Sequence, residues 1–317
     1  MVPPEEFQLI RKWLSGFDRG PGVVLGIGDD AAVLRPPPGR DLAMTVDSLV
    51  AGTHFPVSAP AADVGHRALA VNLSDLAAMG ATPLWGLLAL TLPHADEPWV
   101  AEFAAGFRAL AERHAMALVG GNLSRGALMA TVQVTGQLPQ GRWLGRDGAR
   151  PGDVLLVSGW PGEAAAGLAL WDAPPSTARD GLVRRYLRPE PRIALGQAAL
   201  GVASAAIDIS DGLLADLGHL ATASGCGVEI ELSCLPLSAP LQAMRGPSQA
   251  RRDALYGGDD YELLLACPAA AQAALEAAAE AHAVPLTRIG RFCEAPGVRL
   301  LGEDAEALDP GAGFRHF

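Results

Sequence analysis

Acidic side chains gather beside glycines or at strand ends in five clusters along this chain, and carboxylates so placed can ligate a divalent cation. The first cluster is Gly26-Ile27-Gly28-Asp29-Asp30, where glycine lets the backbone approach a ligand and the acids offer hard oxygen donors. Alone it also reads as an ordinary Gly-Asp turn. In Thr45-Val46-Asp47-Ser48 the two-residue period of a strand puts Thr45 and Asp47 on one face, where a hydroxyl and a carboxylate can share a cation. Asn72 and Asp75 fall three apart on one helix face, beside an apolar stripe of Leu69, Leu73, Leu76 and Ala77.

The strongest cluster is Ile207-Asp208-Ile209-Ser210-Asp211-Gly212-Leu213. A strand delivers Asp208 to the start of a helix, whose free N–H groups and positive dipole end suit an anion. Acid, hydroxyl and acid at such a junction fit metal-bridged phosphate, although Ser210 as a helix cap with Asp211 beside it needs no ligand. Gly257-Gly258-Asp259-Asp260-Tyr261-Glu262 repeats the pattern, and read singly is a hairpin turn.

Three further positions join these clusters. Gly120-Gly121-Asn122 follows the apolar Ala117-Leu118-Val119 and either admits a phosphate near the backbone or makes a tight turn. His54 lies in a loop, where a lone histidine is commonly solvated or structural. Arg146 offers a phosphate clamp. With only 19% charged residues, the chain holds more glycine-acid clusters than turns explain. Gathered carboxylates repel one another, and the single lysine is Lys12, so hard cations are the natural compensation. Mg2+ keeps waters and bridges to phosphates, which points to nucleotide chemistry. A Gly-x-x-x-x-Gly-Lys loop is excluded by the lysine count.

The elements that must position these residues alternate. An amphipathic helix carrying Phe7, Ile10, Leu14 and Phe17 follows Pro3 and Pro4, and strands are expected at 23–27 and 42–46. A helix over 63–79 ends at Gly80; then come a strand over 84–92, a helix over 97–114 and a strand over 128–138. The Gly-, Arg- and Pro-rich 140–153 breaks the pattern, so a domain boundary is placed near Gly148, giving domains 1–148 and 149–317. The second half reads as helices over 163–171, 178–187 and 192–202, a strand over 205–209 and a helix from Asp211. Strands over 228–232 and 261–266, a helix over 269–282 and strands near Leu286 and Val298 complete an α/β (α+β) protein of two domains.

Composition narrows the partners. The charge of −11 argues against nucleic acid, and 50% hydrophobic residues allow large cores. No run approaches the ~20 apolar residues of a membrane helix. Without a secretory pattern after Met1 the chain reads as cytoplasmic. Cys226, Cys234, Cys267 and Cys293 form no close pair and are read as buried thiols.

Taken in order, Gly-Ile-Gly-Asp-Asp-Ala-Ala, Asp-Ser-Leu-Val-Ala-Gly-Thr-His-Phe, Asn-Leu-Ser-Asp-Leu-Ala-Ala-Met-Gly-Ala, Asp-Ile-Ser-Asp-Gly-Leu and Gly-Gly-Asp-Asp-Tyr-Glu-Leu resemble the thiamine-monophosphate kinase family. The likeness reaches the terminal Gly313-Phe314-Arg315-His316-Phe317. It implies a two-domain fold like that of aminoimidazole ribonucleotide synthetase (PurM-like). In that fold the N-terminal ATP/Mg-binding domain pairs across a homodimer, and the C-terminal domain completes the active site. It further implies ATP as co-substrate and several Mg2+. By the resemblance, Asp30, Thr45, Asp47, Asp75, Asn122, Asp208 and Asp211 match metal positions. Gly121, Asn122, Arg146 and Ser210 match nucleotide contacts, and His54, Asp259 and Phe314 match the thiamine phosphate side. Asn122 stands where the family commonly has Asp, losing a charge but keeping a carbonyl oxygen; Asp259 stands where Glu is common, keeping the charge with a shorter reach.

The activity so implied is transfer of the ATP γ-phosphoryl group to thiamine monophosphate, with no residue required as a general base because the acceptor oxygen is already anionic. A related ATP-dependent synthetase and a non-catalytic nucleotide- or metal-binding regulator are the alternatives.

Overall fold

A computed structural model describes residues 6–303 together with Ala305 and Leu308, but not the side chain of Phe7. Phe314 and the rest of the C-terminal motif lie outside the described residues, as do Pro3 and Pro4. The chain forms two compact units, Met1–Leu76 with Ala81–Gly141, and Ala77–Gly80 with Arg142–Phe317.

The first unit opens with α1 (Glu6–Leu9), which continues as a π-helical turn, Ile10–Leu14. Its buried side is made by Leu9, Leu14 and Phe17. A short hairpin of β1 (Val23–Leu25) and β2 (Val33–Leu34) precedes the long β3 (Arg40–Val50). Helix α2 (Ala61–Ala78), β4 (Thr82–Leu92), α3 (Glu97–Arg113), β5 (Ala117–Arg125) and β6 (Met129–Pro139) follow. Asp96 caps α3 by accepting the Trp99 N–H at 3.1 Å, with Pro98 in the first turn.

The sheet order is β3-β6-β4-β5, parallel only between β4 and β5. Its register divides the side chains into two faces. Asp47, Val132, Leu88 and Gly121 stand in one row, and Ser48, Thr131, Ala89 and Asn122 in the next row on the opposite face. The first face is covered by α2: Leu76 packs on Gly136, and Leu69, Leu73, Val132, Val134, Phe103 and Phe107 are fully buried. On the other face Leu42, Met44, Val46 and Leu87 are exposed, Met44 by 67%.

The second unit comprises β7 (Val154–Ser158), α4 (Glu163–Ala169), α5 (Thr177–Leu187), α6 (Ile193–Ala199), β8 (Ala205–Asp208) and α7 (Leu213–Ser224). It continues with β9 (Gly227–Glu231), α8 (Ala239–Arg245), α9 (Pro247–Tyr256), β10 (Leu263–Cys267), α10 (Gln272–Ala281), β11 (Leu286–Cys293) and β12 (Gly297–Leu301). Its six strands run β12-β9-β11-β7-β10-β8. Leu155, Val157, Ile207 and Leu264 pack with Leu213, Leu217 and Leu220 of α7 in one core. Ala166, Leu182, Leu241 and Ala250 make a second cluster from α4, α5, α8 and α9. The alternating α and β elements and both mixed sheets agree with the α/β (α+β) expectation.

Several local expectations are corrected. Helices α8 and α9 occupy a stretch for which the sequence suggested no element; Ser238 caps α8 by accepting the Leu241 N–H at 3.3 Å, and Gly246-Pro247 separates the pair. Gly120-Gly121-Asn122 is neither a strand end nor a turn but the interior of β5. Cys234 is exposed, in the turn after β9, and Cys293 is half-buried at the end of β11, whereas Cys226 and Cys267 are buried. Among the described residues no helix is long and apolar enough to cross a membrane.

Candidate active site

In the first unit the acids meet where β3 passes α2. Thr45 and Asp47 alternate with exposed residues along β3 and so face the helix, as the two-residue period requires. Thr45 Oγ1 donates to Asp75 Oδ2 of α2 at 2.5 Å. Burial, followed by the nearby Asp75 charge, pushes the Asp47 carboxyl up to about 6. Two acids and a hydroxyl therefore share one place, where β3 faces α2.

Asp30 is not drawn into that group by the described hydrogen bonds; it sits exposed on its loop, its N–H held by Asp29 Oδ1 at 2.8 Å. His54 closes the turn after β3, its Nδ1 accepting the Val50 N–H at 3.1 Å, so the neutral ring carries its proton on Nε2. Gly121 approaches β4 so closely that a Cβ would lie 1.8 Å from the Leu88 carbonyl oxygen, which gives that glycine a packing reason independent of any ligand. Asn122 points to the sheet face opposite Asp47, on the far edge strand, and is not brought together with Thr45, Asp47 and Asp75 within this unit.

In the second unit β8 ends on the buried Asp208. The helix beyond it starts at Leu213, not Asp211, and Ser210 does not cap it; Gly212 holds the cap position with no side-chain bond. The backbone N–H groups of the loop just before the cap are instead accepted by a side chain from inside the helix. Asp216 Oδ2 accepts the Ser210 N–H at 2.9 Å and the Asp211 N–H at 3.0 Å. Burial pushes the Asp216 carboxyl up to about 7, aided by the Asp211 charge and opposed by those N–H groups. Sequence reasoning passed over Asp216; its one signal is an acid in the first turn after a glycine.

Arg146 is exposed on a segment tied along β8. Gly145 O accepts the Ala206 N–H at 3.0 Å, and Arg146 O accepts from Ser224 Oγ at 2.8 Å. The loop of Asp259 lies against the Asp208 loop: Asp259 N–H donates to Ser210 O at 2.9 Å, and Tyr261 N–H to Ile209 O at 2.8 Å. A Cβ on Gly258 would come 2.4 Å from Ser210 O, so only glycine permits this contact. The second unit thus lays the Asp259 loop against the loop that follows Asp208 and carries Ser210 and Asp211.

Among the described residues, no three Asp, Glu, His or Cys side chains converge as a closed metal cage. Thr45, Asp47 and Asp75 offer hard oxygen donors of the kind that suits Mg2+ held by one or two carboxylates, water and substrate phosphate.

The family descriptions "AIR synthase related protein, N-terminal domain" and "AIR synthase related protein, C-terminal domain" match residues 28–138 and 150–303. The thiamine-monophosphate kinase of Salmonella typhimurium (strain LT2) is 44% identical, with 98% of each chain covered. This chain belongs to the thiamine-monophosphate kinase family. A crystal structure of the family member from Stenotrophomonas maltophilia K279a superposes with a TM-score of 0.86 at 45% identity, covering 94% of this chain and 95% of that one. The structure of AaThiL complexed with AMPPCP and TMP gives a TM-score of 0.79 at 34% identity, with 98% and 96% covered. Likeness to this family therefore extends through both units, across the segments that carry every cluster described above.

Proposed function

We propose that this protein is a thiamine-monophosphate kinase. The bond between the γ-phosphorus of ATP and its β,γ-bridging oxygen breaks, an oxygen of the thiamine monophosphate phosphate bonds to that phosphorus, and ADP leaves. The observation that carries this reading is the 44% identity to a family member over 98% of the chain, in a protein whose β3 and α2 bring Thr45, Asp47 and Asp75 together. A relative of the same fold with AMPPCP and TMP supports a nucleotide and a phosphorylated acceptor as its ligands.

Asp30, Thr45, Asp47 and Asp75 of the first unit, and Asp208 and Asp211 of the second, would hold Mg2+. When bound, Mg2+ would supply positive charge that offsets the charge of the phosphates. Gly121, Asn122, Ser210 and Arg146 bind the nucleotide, the exposed guanidinium acting as an anion clamp. His54, Asp259 and Phe314 receive thiamine monophosphate; Asp259 attracts its cationic thiazolium, and the Phe314 ring offers it a face. The acceptor phosphate is largely ionised at neutral pH, so positioning and charge compensation serve where a general base would otherwise be required. Residues 1–148 act as the ATP/Mg-binding and dimerisation domain, and residues 149–317 complete the machinery. Its substrates are small soluble metabolites, and we place the enzyme in the cytoplasm.

The exposed Leu42, Met44, Val46 and Leu87 face of the first sheet supports pairing with a second copy, since apolar residues on adjoining strands are costly to leave in water. Asn122 shares that face, so its contribution is expected beside the partner copy rather than beside Asp47 of its own chain.

The test is incubation of the purified protein with ATP, Mg2+ and thiamine monophosphate, followed by chromatography for thiamine diphosphate, with a control lacking Mg2+. Metal-dependent thiamine diphosphate is expected; ATP binding with no product would transfer the weight to a regulator.

A further inference from the structure

Between α9 and β10 the chain runs from Gly257 to Glu262 without regular structure, and two residues there hold backbone conformations that L side chains disfavour: Asp259 with φ +69° and Tyr261 with φ +52°. Such a segment stays put only where its surroundings over-determine it. The side chains alternate in what they do. Asp259 and Tyr261 join each other, Tyr261 Oη donating to Asp259 Oδ1 at 3.3 Å. Asp260 and Glu262 are anchored in the interior.

Asp260 is buried and accepts two backbone N–H groups at the start of α4, from Gly162 at 2.7 Å and Ala164 at 3.2 Å. That helix has no side-chain cap of its own, so Asp260 serves as one from another loop. Glu262 is completely buried. It accepts Arg192 Nε at 2.7 Å and Nη2 at 2.5 Å, Arg185 Nη2 at 2.6 Å and Ser158 Oγ at 2.6 Å. Arg185 Nε also meets Glu163 at 3.1 Å. Burial raises the Glu262 carboxyl, but the two guanidiniums and the hydroxyl outweigh it and hold the group below its ordinary value.

We propose that Asp260 and Glu262, with Arg185 and Arg192, are positioning residues that fix Asp259 toward the cationic acceptor substrate. The inference rests on the reading of Asp259 as a thiamine monophosphate contact. An aspartate has two side-chain torsions and little reach, so its placement is set by its backbone. Here that backbone is held by anchors on both following alternate residues and by the hydrogen bonds to Ser210 and Ile209.

A double-mutant cycle between Glu262→Gln and Asp259→Ala separates this role from general stability. Glu262→Gln alone should raise the KM for thiamine monophosphate about tenfold while the KM for ATP moves less than about twofold; in the Asp259→Ala background the same change should raise it less than about twofold. Equal rises in both KM values, or effects that simply multiply, would overturn the proposal. Should Glu262→Gln fail to fold, Ser158→Ala removes one anchor bond and enters the same cycle. Hydrogen exchange supplies a readout independent of turnover: the Asp259 and Tyr261 amides should exchange about tenfold faster in the anchor variant while those of Leu264 and Leu265 keep their protection. Unchanged exchange at Asp259 and Tyr261 would overturn the clamp even if the wild-type protein proved inactive on thiamine monophosphate, an outcome that would by itself refute only the substrate assignment.

Discussion

Thr45 and Asp75, thirty residues apart, are joined by a 2.5 Å hydrogen bond that ties β3 to α2 and leaves Asp47 beside a second carboxylate. The bond holds the Asp75 carboxylate toward β3, where the proposed Mg2+ would be met. Thr45→Val keeps the shape and removes the donor, at a stability cost of about 1 kcal/mol. Turnover should fall at least about tenfold, and the Mg2+ concentration giving half-maximal rate should rise, while the melting temperature moves only a few degrees. Steady-state kinetics across a Mg2+ series, with thermal melts alongside, checks this; an unchanged Mg2+ dependence would remove Thr45 from the machinery.

Asp208 is buried at the end of β8, where loss of its charge would remove a proposed Mg2+ ligand without creating a cavity. Asp208→Asn should lower kcat by about a hundredfold or more and leave the fold intact. Circular dichroism and single-turnover rates decide it, and a near-normal rate would sink the assignment.

Asp216 holds the Ser210 and Asp211 N–H groups on one oxygen. Asp216→Ala leaves both without that acceptor and should cost about 1–3 kcal/mol of unfolding free energy. Asp216→Asn retains an acceptor oxygen and should recover most of the loss. Denaturant melts of the two variants distinguish a hydrogen-bonding role from a role in charge; equal losses would contradict the former.

Glu262 gives the acid limb of stability a defined sign. Its folded pKa lies below its ordinary 4.5, so its contribution is present above that value and is lost as pH falls through the folded pKa. Asp260, pushed well above its ordinary value mainly by burial, acts in the opposite sense. Glu262→Gln should therefore flatten the decline in unfolding free energy as the pH falls below the ordinary glutamate value of 4.5. A decline as steep as that of wild type would show that other carboxylates govern it.

Met44 and Val46 lie on the uncovered sheet face, exposed by 67% and 60%. Val46→Glu or Met44→Glu should convert a dimer to a monomer at micromolar concentration, read by sedimentation equilibrium, with the folded spectrum retained. A wild-type protein that is monomeric in the same experiment would refute the pairing.

Much of this arrangement was legible from residues alone, for reasons that can be named. Alternation through the strand expected at 42–46 put Thr45 and Asp47 on one face, and helical spacing put Asp75 beside an apolar stripe; that the strand passes this helix and Thr45 bonds Asp75 is what the structure adds. The face of Asn122 was not legible, because it depends on register across four strands and on a bulge between Gly86 and Leu87. Nor was the use of Asp216 in place of Ser210 as acceptor at the helix start: both residues are competent by type, and the loop's path chooses between them. The anchors of Asp260 and Glu262 reach Gly162, Arg185 and Arg192, 70 to 98 residues away, and no local pattern encodes such pairings.

The most direct test of the central claim is a phosphorus-31 NMR time course of the protein with ATP, Mg2+ and thiamine monophosphate. The monophosphate resonance is expected to give way to the two coupled signals of thiamine diphosphate, in step with ADP and only when Mg2+ is present. Release of inorganic phosphate with the monophosphate signal unchanged, or no change in any resonance, would contradict it.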